Sequence, residues 1–293
     1  MLRSFYAVAA GQMNFLWMQA VIGYRSTGKL DETQVVKVRR VRMRFLLDAA
    51  CGCNMGKVRK NNEDNFFFDD KCLEMENQGL RNTAEYVDFL KSGVCFAVFD
   101  GMGGESFGEV ASFTAARKMQ NLTRSLSDYF VSEKKYLTKL VQQLNNAVVE
   151  AKKELCTNRC GSTMVGLYFS SGYVYSCNVG DSRAYRLRDG EFFQLSVDHV
   201  EKRAERKKAP LTQHLGIDPE DMQLEPYIAK GKICKGDKYL LCSDGLTDML
   251  TNFEIAEIMI SCEDPVNCVE QLIKAALENG GKDNITAIVC KID

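Results

Sequence analysis

The stretch Val94 to Gly104, V-C-F-A-V-F-D-G-M-G-G, decides how the rest of the chain is read. Val94, Phe96, Val98 and Phe99 are β-branched or aromatic with no charge among them, the pattern of a strand covered on both faces. The run ends at Asp100. Gly101, Gly103 and Gly104 then let the backbone turn tightly and bring carbonyls close to whatever Asp100 holds. Such an oxygen-only corner suits a hard divalent cation. One carboxylate cannot build a metal site, so further ligands must come from elsewhere in the chain.

Working outward, Phe45 to Cys53 reads as a first strand, and Gly56 to Asp64, G-K-V-R-K-N-N-E-D, as a polar loop. Phe66 to Phe68 returns as a strand. Residues 69–92 are polar, with a short helical pattern around Ala84 to Leu90, and read as a surface excursion. Beyond the glycine turn the period becomes helical. Glu105 to about Ser125 carries Val110, Phe113, Ala116 and Met119 on one side. Leu137, Leu140, Val141, Leu144, Val148, Ala151 and Leu155 form the stripe of a second helix suited to packing on a sheet.

From Gly161 the pattern is a β-meander. Thr163 to Phe169 and Tyr173 to Val179 flank a Ser-Ser-Gly turn, and Arg183 to Arg188 pairs through Asp189-Gly190 with Phe192 to Leu195. Lys238 to Cys242 is another buried strand, again ending in a carboxylate and a glycine, Asp244-Gly245. Two amphipathic helices follow, Phe253 to Ser261 and Val266 to Glu278. Asn279-Gly280-Gly281 breaks the second, and Lys282-Asp283-Asn284 leads into a last strand, Ile285 to Lys291. No Pro-, Gly- or Ser-rich linker and no internal repeat divides this region, which reads as one domain over residues 44–293.

The first 43 residues differ from the rest. Phe5 to Tyr24 is apolar but broken by Gln12, Asn14 and Gln19, and a basic run follows at Lys37, Arg39, Arg40, Arg42 and Arg44. Three readings compete: a translated upstream region with initiation at Met43, a peripheral and disordered or helical extension, and a membrane anchor with the basic run on the cytosolic side. The three amides count against the anchor.

Across 293 residues the formal charge is −1, which gives no global pull towards nucleic acid or membrane. The twelve Cys contain no C-x-x-C pair, which argues against a zinc ribbon and for buried small side chains in a reducing cytoplasm. With His199 and His214 the only histidines, catalysis is expected to run on carboxylates. Val200 to His214 is strongly basic (Lys202, Arg203, Arg206, Lys207, Lys208), either a solvated loop or a flap that meets acidic or phosphorylated partners.

Four acidic corners stand out: Glu63-Asp64, Asp100-Gly101, Asp244-Gly245 and Asp283-Asn284. Strands of one sheet can bring such ends together, and clustered carboxylates need counter-charge. With carboxylate, carbonyl and water ligands, Mg²⁺ or Mn²⁺ is favoured over Zn²⁺. A bridging carboxylate can hold two such ions close enough to share and activate a water.

The ordered series R-K-N-N-E-D (59–64), D-G-M-G-G (100–104), G-S-T (161–163), G-D-S-R (180–183), S-D-G-L (243–246) and G-K-D-N-I-T (281–286) resembles the PPM family of metal-dependent serine/threonine protein phosphatases, the protein phosphatase 2C group, in its compact bacterial branch. The resemblance runs from about Phe45 onward. It implies an α+β fold of two antiparallel sheets packed as a sandwich and flanked by helices, with a binuclear Mn²⁺ or Mg²⁺ site at one end.

Carried over by motif, Asp100 would bridge both ions and Gly101 would offer its carbonyl to one, while Asp244 and Asp283 would ligate the other. Glu63 would hold metal-bound water, Asp64 would support the site from behind, and Arg59 would grip the substrate phosphate. Asp181 matches a weaker third metal position. The implied reaction is direct attack of a metal-activated water on phosphoserine or phosphothreonine of protein substrates, reversing a serine/threonine kinase in signalling. Met102 departs from the eukaryotic pattern of a His able to protonate the leaving group, which leaves that proton to a metal-bound water or unassigned. The short, basic connection from His199 to Leu215 departs from the usual bacterial flap.

Overall fold

Strand β1 (Leu46–Asn54) is the second member of a six-stranded antiparallel sheet. It pairs on one side with β3 (Ala84–Phe89) and on the other with β12 (Ile285–Ile292). Beyond β12 the sheet continues through β11 (Lys238–Cys242), β8 (Arg183–Arg188) and β9 (Glu191–Gln194). The second sheet runs β10 (Tyr227–Lys232), β7 (Tyr173–Val179), β6 (Met164–Ser170), β4 (Val94–Met102), β2 (Asp64–Phe67), with the short β5 (Gly161–Ser162) on the end of β4. The computed structural model describes residues 45–293 apart from 103–106, 124–131, 158 and 202–208. The readings of residues 1–43, of Gly103 and Gly104 and of the basic run Lys202 to Lys208 fall outside the described residues.

The alternation within β4 shows why the sheets stack. Phe96 and Val98 join Leu47, Cys51, Tyr239, Leu241 and Ile288 in a core between the two sheets. Cys95, Ala97 and Phe99 point the other way, into a core closed by helices α1 (Gly108–Thr123) and α2 (Glu133–Glu154). A third core lies on the outer face of the first sheet, beneath the single turn α3 (Asp244–Thr247) and helices α4 (Asn252–Ser261) and α5 (Pro265–Glu278). The layers are therefore helix, sheet, sheet, helix, as the sequence resemblance implies.

Caps set the ends of the outer helices. Thr251 and Glu254 form a reciprocal capping box on α4, and Asp264 caps α5 just ahead of Pro265. The Asp189-Gly190 turn has both residues at positive φ, 50° and 81°, joining β8 to β9 as expected of a two-residue hairpin. Among the described residues no helix is long and apolar enough to cross a membrane.

Three readings are corrected. Ala84 to Leu90 is the edge strand β3 rather than a helical turn. Its burial alternates, with Ala84, Tyr86 and Asp88 half-buried and Glu85, Val87 and Phe89 exposed, and pairing with β1 overrides a weak helical spacing. In α1 the buried stripe is Ala111, Ala115, Ala116 and Met119, while Val110 and Phe113 are half-buried. All twelve cysteines are free thiols, but nine are buried; Cys72 and Cys234 are partly exposed and Cys156 is exposed. Strand β10 was not anticipated, because Y-I-A-K-G-K lacks a continuous apolar run.

Candidate functional site

Four strand ends converge where the two sheets meet. Asp100 lies near the end of β4, and antiparallel register sets Asp64, the first residue of β2, directly opposite it. From the other sheet, Asp244 opens α3 immediately after β11, and Asp283 lies two residues ahead of β12. Close backbone approach joins these last two. A Cβ on Gly245 would overlap the Asn284 carbonyl oxygen and stand 3.3 Å from the Cβ of Asp283, so glycine is required there.

Hydrogen bonds tie the corners together. Asn284 is buried, accepts from the Glu63 N–H at 2.8 Å through Oδ1, and donates through Nδ2 to the Met55 and Asn61 carbonyls at 2.8 and 2.9 Å. The Gly101 N–H donates to the Glu63 carbonyl at 3.0 Å. Asp64 Oδ2 accepts from Ser243 Oγ at 2.7 Å and from Thr286 Oγ1 at 2.6 Å, so one carboxylate oxygen joins β2 to both central strands of the other sheet. At the mouth, Arg59 Nη2 donates to Asp283 Oδ2 at 2.7 Å. Asp181 follows Gly180 in the turn between β7 and β8 and is half-buried.

The electrostatics are those of crowded like charges. Burial raises the Asp100 carboxyl well above its ordinary range, and Asp244, Asp64, Asp181 and Asp283 raise it further. Burial pushes Asp64 up to about 7 despite its two hydroxyl donors, with Asp244 and Asp283 adding to the shift. Glu63 is raised chiefly by burial, opposed by Asn61 and Arg59. Every residue predicted for the site, Arg59, Glu63, Asp64, Asp100, Gly101, Asp181, Asp244 and Asp283, is thus brought to this one corner.

Among the described residues no three His, Cys, Asp or Glu side chains gather tightly enough to enclose an ion by themselves. A cation here would draw on carbonyl and water oxygens as well, the habit of Mg²⁺ and Mn²⁺ rather than of a thiolate or imidazole zinc site. Carboxylates that raise one another's proton affinity are the donor set such an ion relieves, so the residues present fit a hard divalent cation.

Sequence reasoning gave no role to Asn284, Ser243, Thr286, Thr163 or Ser182. All five lie inside the motifs already quoted; Asn284, Ser243, Thr286 and Ser182 stand one to three residues from a carboxylate, an adjacency that was the available signal, whereas Thr163 has none that near in sequence.

Comparison with known proteins agrees with this geometry. The sequence model of the family described as Protein phosphatase 2C matches residues 79–280. The serine/threonine phosphatase stp of Listeria monocytogenes is 29% identical over 256 residues, covering 81% of this chain and 93% of that protein. Among solved structures, the catalytic domain of the serine/threonine protein phosphatase PstP in complex with two manganese ions aligns with a TM-score of 0.67 at 28% identity, over 85% of this chain and 99% of that one. PppA, a regulatory component of the type VI secretion system in Pseudomonas aeruginosa, aligns with a TM-score of 0.68 at 27% identity, over 84% and 98%. With the motifs, the sandwich and the carboxylate corner in agreement, this chain belongs to the protein phosphatase 2C family and is a serine/threonine protein phosphatase.

Proposed function

We propose that the chain hydrolyses phosphoserine and phosphothreonine in proteins at a two-ion centre of Mn²⁺ or Mg²⁺ built on the Asp100 corner. The observation that carries this reading is the convergence of Asp64, Asp181, Asp244 and Asp283 on Asp100, whose carboxyl burial raises well above its ordinary range and these neighbours raise further. In this reading Asp100 would hold both ions, the Gly101 carbonyl would serve one with Glu63 holding its water, and Asp244 and Asp283 would serve the other. Asp181 offers a weaker third position. The ions supply charge neutralisation for the phosphate and a lowered pKa for water.

The chain's own residues do the remaining work. Arg59, half-exposed at the mouth with a planar fork of donors, leaves its Asp283 partner to hold the phosphate oxygens and align phosphorus for in-line attack. Water adds to phosphorus and gives up a proton, the bond from phosphorus to the serine or threonine oxygen breaks, and the departing alkoxide oxygen takes up a proton to become the free hydroxyl. Met102 offers no acidic proton for that step, so no side chain here is assigned it. Asp64 stands behind Asp100, its carboxylate fixed by Ser243 and Thr286.

The catalytic unit proposed is residues 44–293, with the first 43 residues outside it. The names of the relatives, serine/threonine phosphatases, support a serine/threonine kinase as the functional counterpart in signalling, and the free cysteines fit a reducing cytoplasm. Phosphate release from a phosphothreonine peptide, with and without Mn²⁺, for wild type and Asp100→Asn, tests the reading. Metal-dependent release that the substitution abolishes is expected. Folded protein that releases no phosphate with either ion would overturn it.

A further inference from the structure

The backbone around Asp100 is held in an unusual way. Register between β4 and β6 runs to Val98 opposite Val165, and between β4 and β5 it resumes at Gly101 opposite Ser162. Thr163 therefore faces Asp100. The Thr163 N–H donates to the Asp100 carbonyl at 2.8 Å, as a ladder pair would. The reciprocal bond does not go to the Thr163 carbonyl. Asp100 N–H donates instead to the Thr163 side-chain Oγ1 at 3.1 Å, while Ser162 Oγ lies 2.8 Å from the Thr163 carbonyl and 3.1 Å from that of Asp100.

That hydroxyl has a second contact. Thr163 Oγ1 lies 2.7 Å from Ser182 Oγ, and the two residues are 2% and 0% exposed, so water does not compete for them. Ser182 follows Asp181 directly. The same turn presses on Thr163 through Gly180: a Cβ there would stand 2.7 Å from the Thr163 Cβ and Cγ2, and Gly180 sits at φ +103°. From its far side His199 grips the turn, its Nδ1 accepting from Gly180 N–H at 3.2 Å and its N–H donating to the Gly180 carbonyl at 3.0 Å. A buried hydroxyl pair thus joins the peptide that carries Asp100 to the turn that carries Asp181.

We infer that Thr163 and Ser182 are positioning residues for the metal centre: Thr163 sets the Asp100 peptide, and Ser182 locks the Asp181 turn to it, so that both carboxylates are presented in one fixed relation. The inference rests on the reading of Asp100 as a metal ligand. Outer partners of metal ligands carry about 10–100-fold in metal affinity or activity when removed. Thr163→Val keeps the methyl packing against Gly180 and deletes the hydroxyl. Thr163→Ser keeps the hydroxyl. Ser182→Ala leaves the bond from Asp100 to Thr163 in place and deletes the link to the Asp181 turn.

The experiment is titration of the EDTA-treated full chain with Mn²⁺. Free ion is followed by electron paramagnetic resonance, with melting temperature and the kcat and KM for p-nitrophenyl phosphate alongside. Expected are a Mn²⁺ Kd weakened about 10–100-fold in Thr163→Val, near wild-type binding in Thr163→Ser, and a smaller weakening of about threefold or more in Ser182→Ala. The catalytic loss is expected in kcat more than in KM. If Thr163→Val fails to fold, Ser182→Ala carries the test. Wild-type Mn²⁺ binding in both folded variants, with Asp100→Asn binding weakly, would overturn the positioning role. Equal binding by wild type and Asp100→Asn would instead overturn the reading of Asp100 beneath it.

Discussion

Asp64 allows the site's electrostatics to be weighed on a balance. It is 1% exposed, accepts two hydroxyl hydrogen bonds, and still titrates near 7 rather than near 3.8 because burial outweighs its donors. In metal-free protein the folded state therefore holds a proton on Asp64 from about pH 4 to about pH 7 that the unfolded chain has released. The stability this carboxyl contributes is complete below about pH 4 and is lost as pH rises through about 7. At about 1.4 kcal/mol per pH unit per proton, the loss is about 4 kcal/mol.

Two half-buried groups act in the opposite sense. Burial holds the His199 and His214 imidazoles below their ordinary pKa, so their contribution grows as pH rises towards and through 6.5. The wild-type stability curve is thus composite, and the informative quantity is its difference from Asp64→Asn. Removing the Asp64 charge also relieves Asp100, which adds to the difference with the same sign. Urea unfolding by far-ultraviolet circular dichroism, in EDTA and reductant at half-unit steps from pH 4 to 7.5, measures it. The variant should gain on wild type by about 4 kcal/mol over that range. A difference constant to within about 0.5 kcal/mol would refute the reasoning, since a carboxylate ionised throughout gives no slope.

Other consequences are simpler to read. Arg59 and Asp283 are 43% and 23% exposed, so Arg59→Ala should change the free energy of unfolding in urea by less than about 1 kcal/mol. With Arg59 in its proposed role at the phosphate, loss of those charged hydrogen bonds, at about 1.5–3 kcal/mol, should lower kcat/KM on a phosphothreonine peptide about 10–100-fold; steady-state kinetics checks it. Gly245→Ala drives a Cβ into the rigid Asn284 carbonyl and should cost about 3 kcal/mol or more in urea unfolding, with Mn²⁺ binding weakened as Asp244 and Asp283 separate. Leu144→Ala, at a fully buried position of α2 away from the carboxylates, should cost about 2–5 kcal/mol by the same assay while the folded fraction keeps its specific activity.

What the sequence showed clearly was whatever has a strong local signature. The uncharged run before Asp100, the Asp189-Gly190 hairpin and the stripe of α2 each announce their structure within a dozen residues, and each carboxylate of the site marks a strand end. Elements set by their neighbours were hidden. Ala84 to Phe89 is a strand because β1 offers it a pairing edge, and Tyr227 to Lys232 because β7 does. The supporting hydroxyls were hidden for the same reason. Nothing local distinguishes Thr163 or Thr286 from any other strand threonine, and their partners lie across the sandwich or in another loop. The resemblance named the carboxylates and passed over the hydroxyls that fix them.

The place of β12 governs the order in which the molecule can be assembled. It is the third strand of its sheet, between β1 and β11, and it pairs Ile292 with Leu47. A ribosome delivers β1 first and β12 last, so at about 5–20 residues per second the apolar edge of β1 waits roughly 10–50 s for its partner. Over that interval Ala49, Cys51 and Cys53 lie beside an open row of backbone donors and acceptors. Asp283 arrives just ahead of β12. With Asp283 in its proposed role, a chain not yet extended through β12 lacks one side of the ion site, which is completed in one long-range closure rather than by degrees.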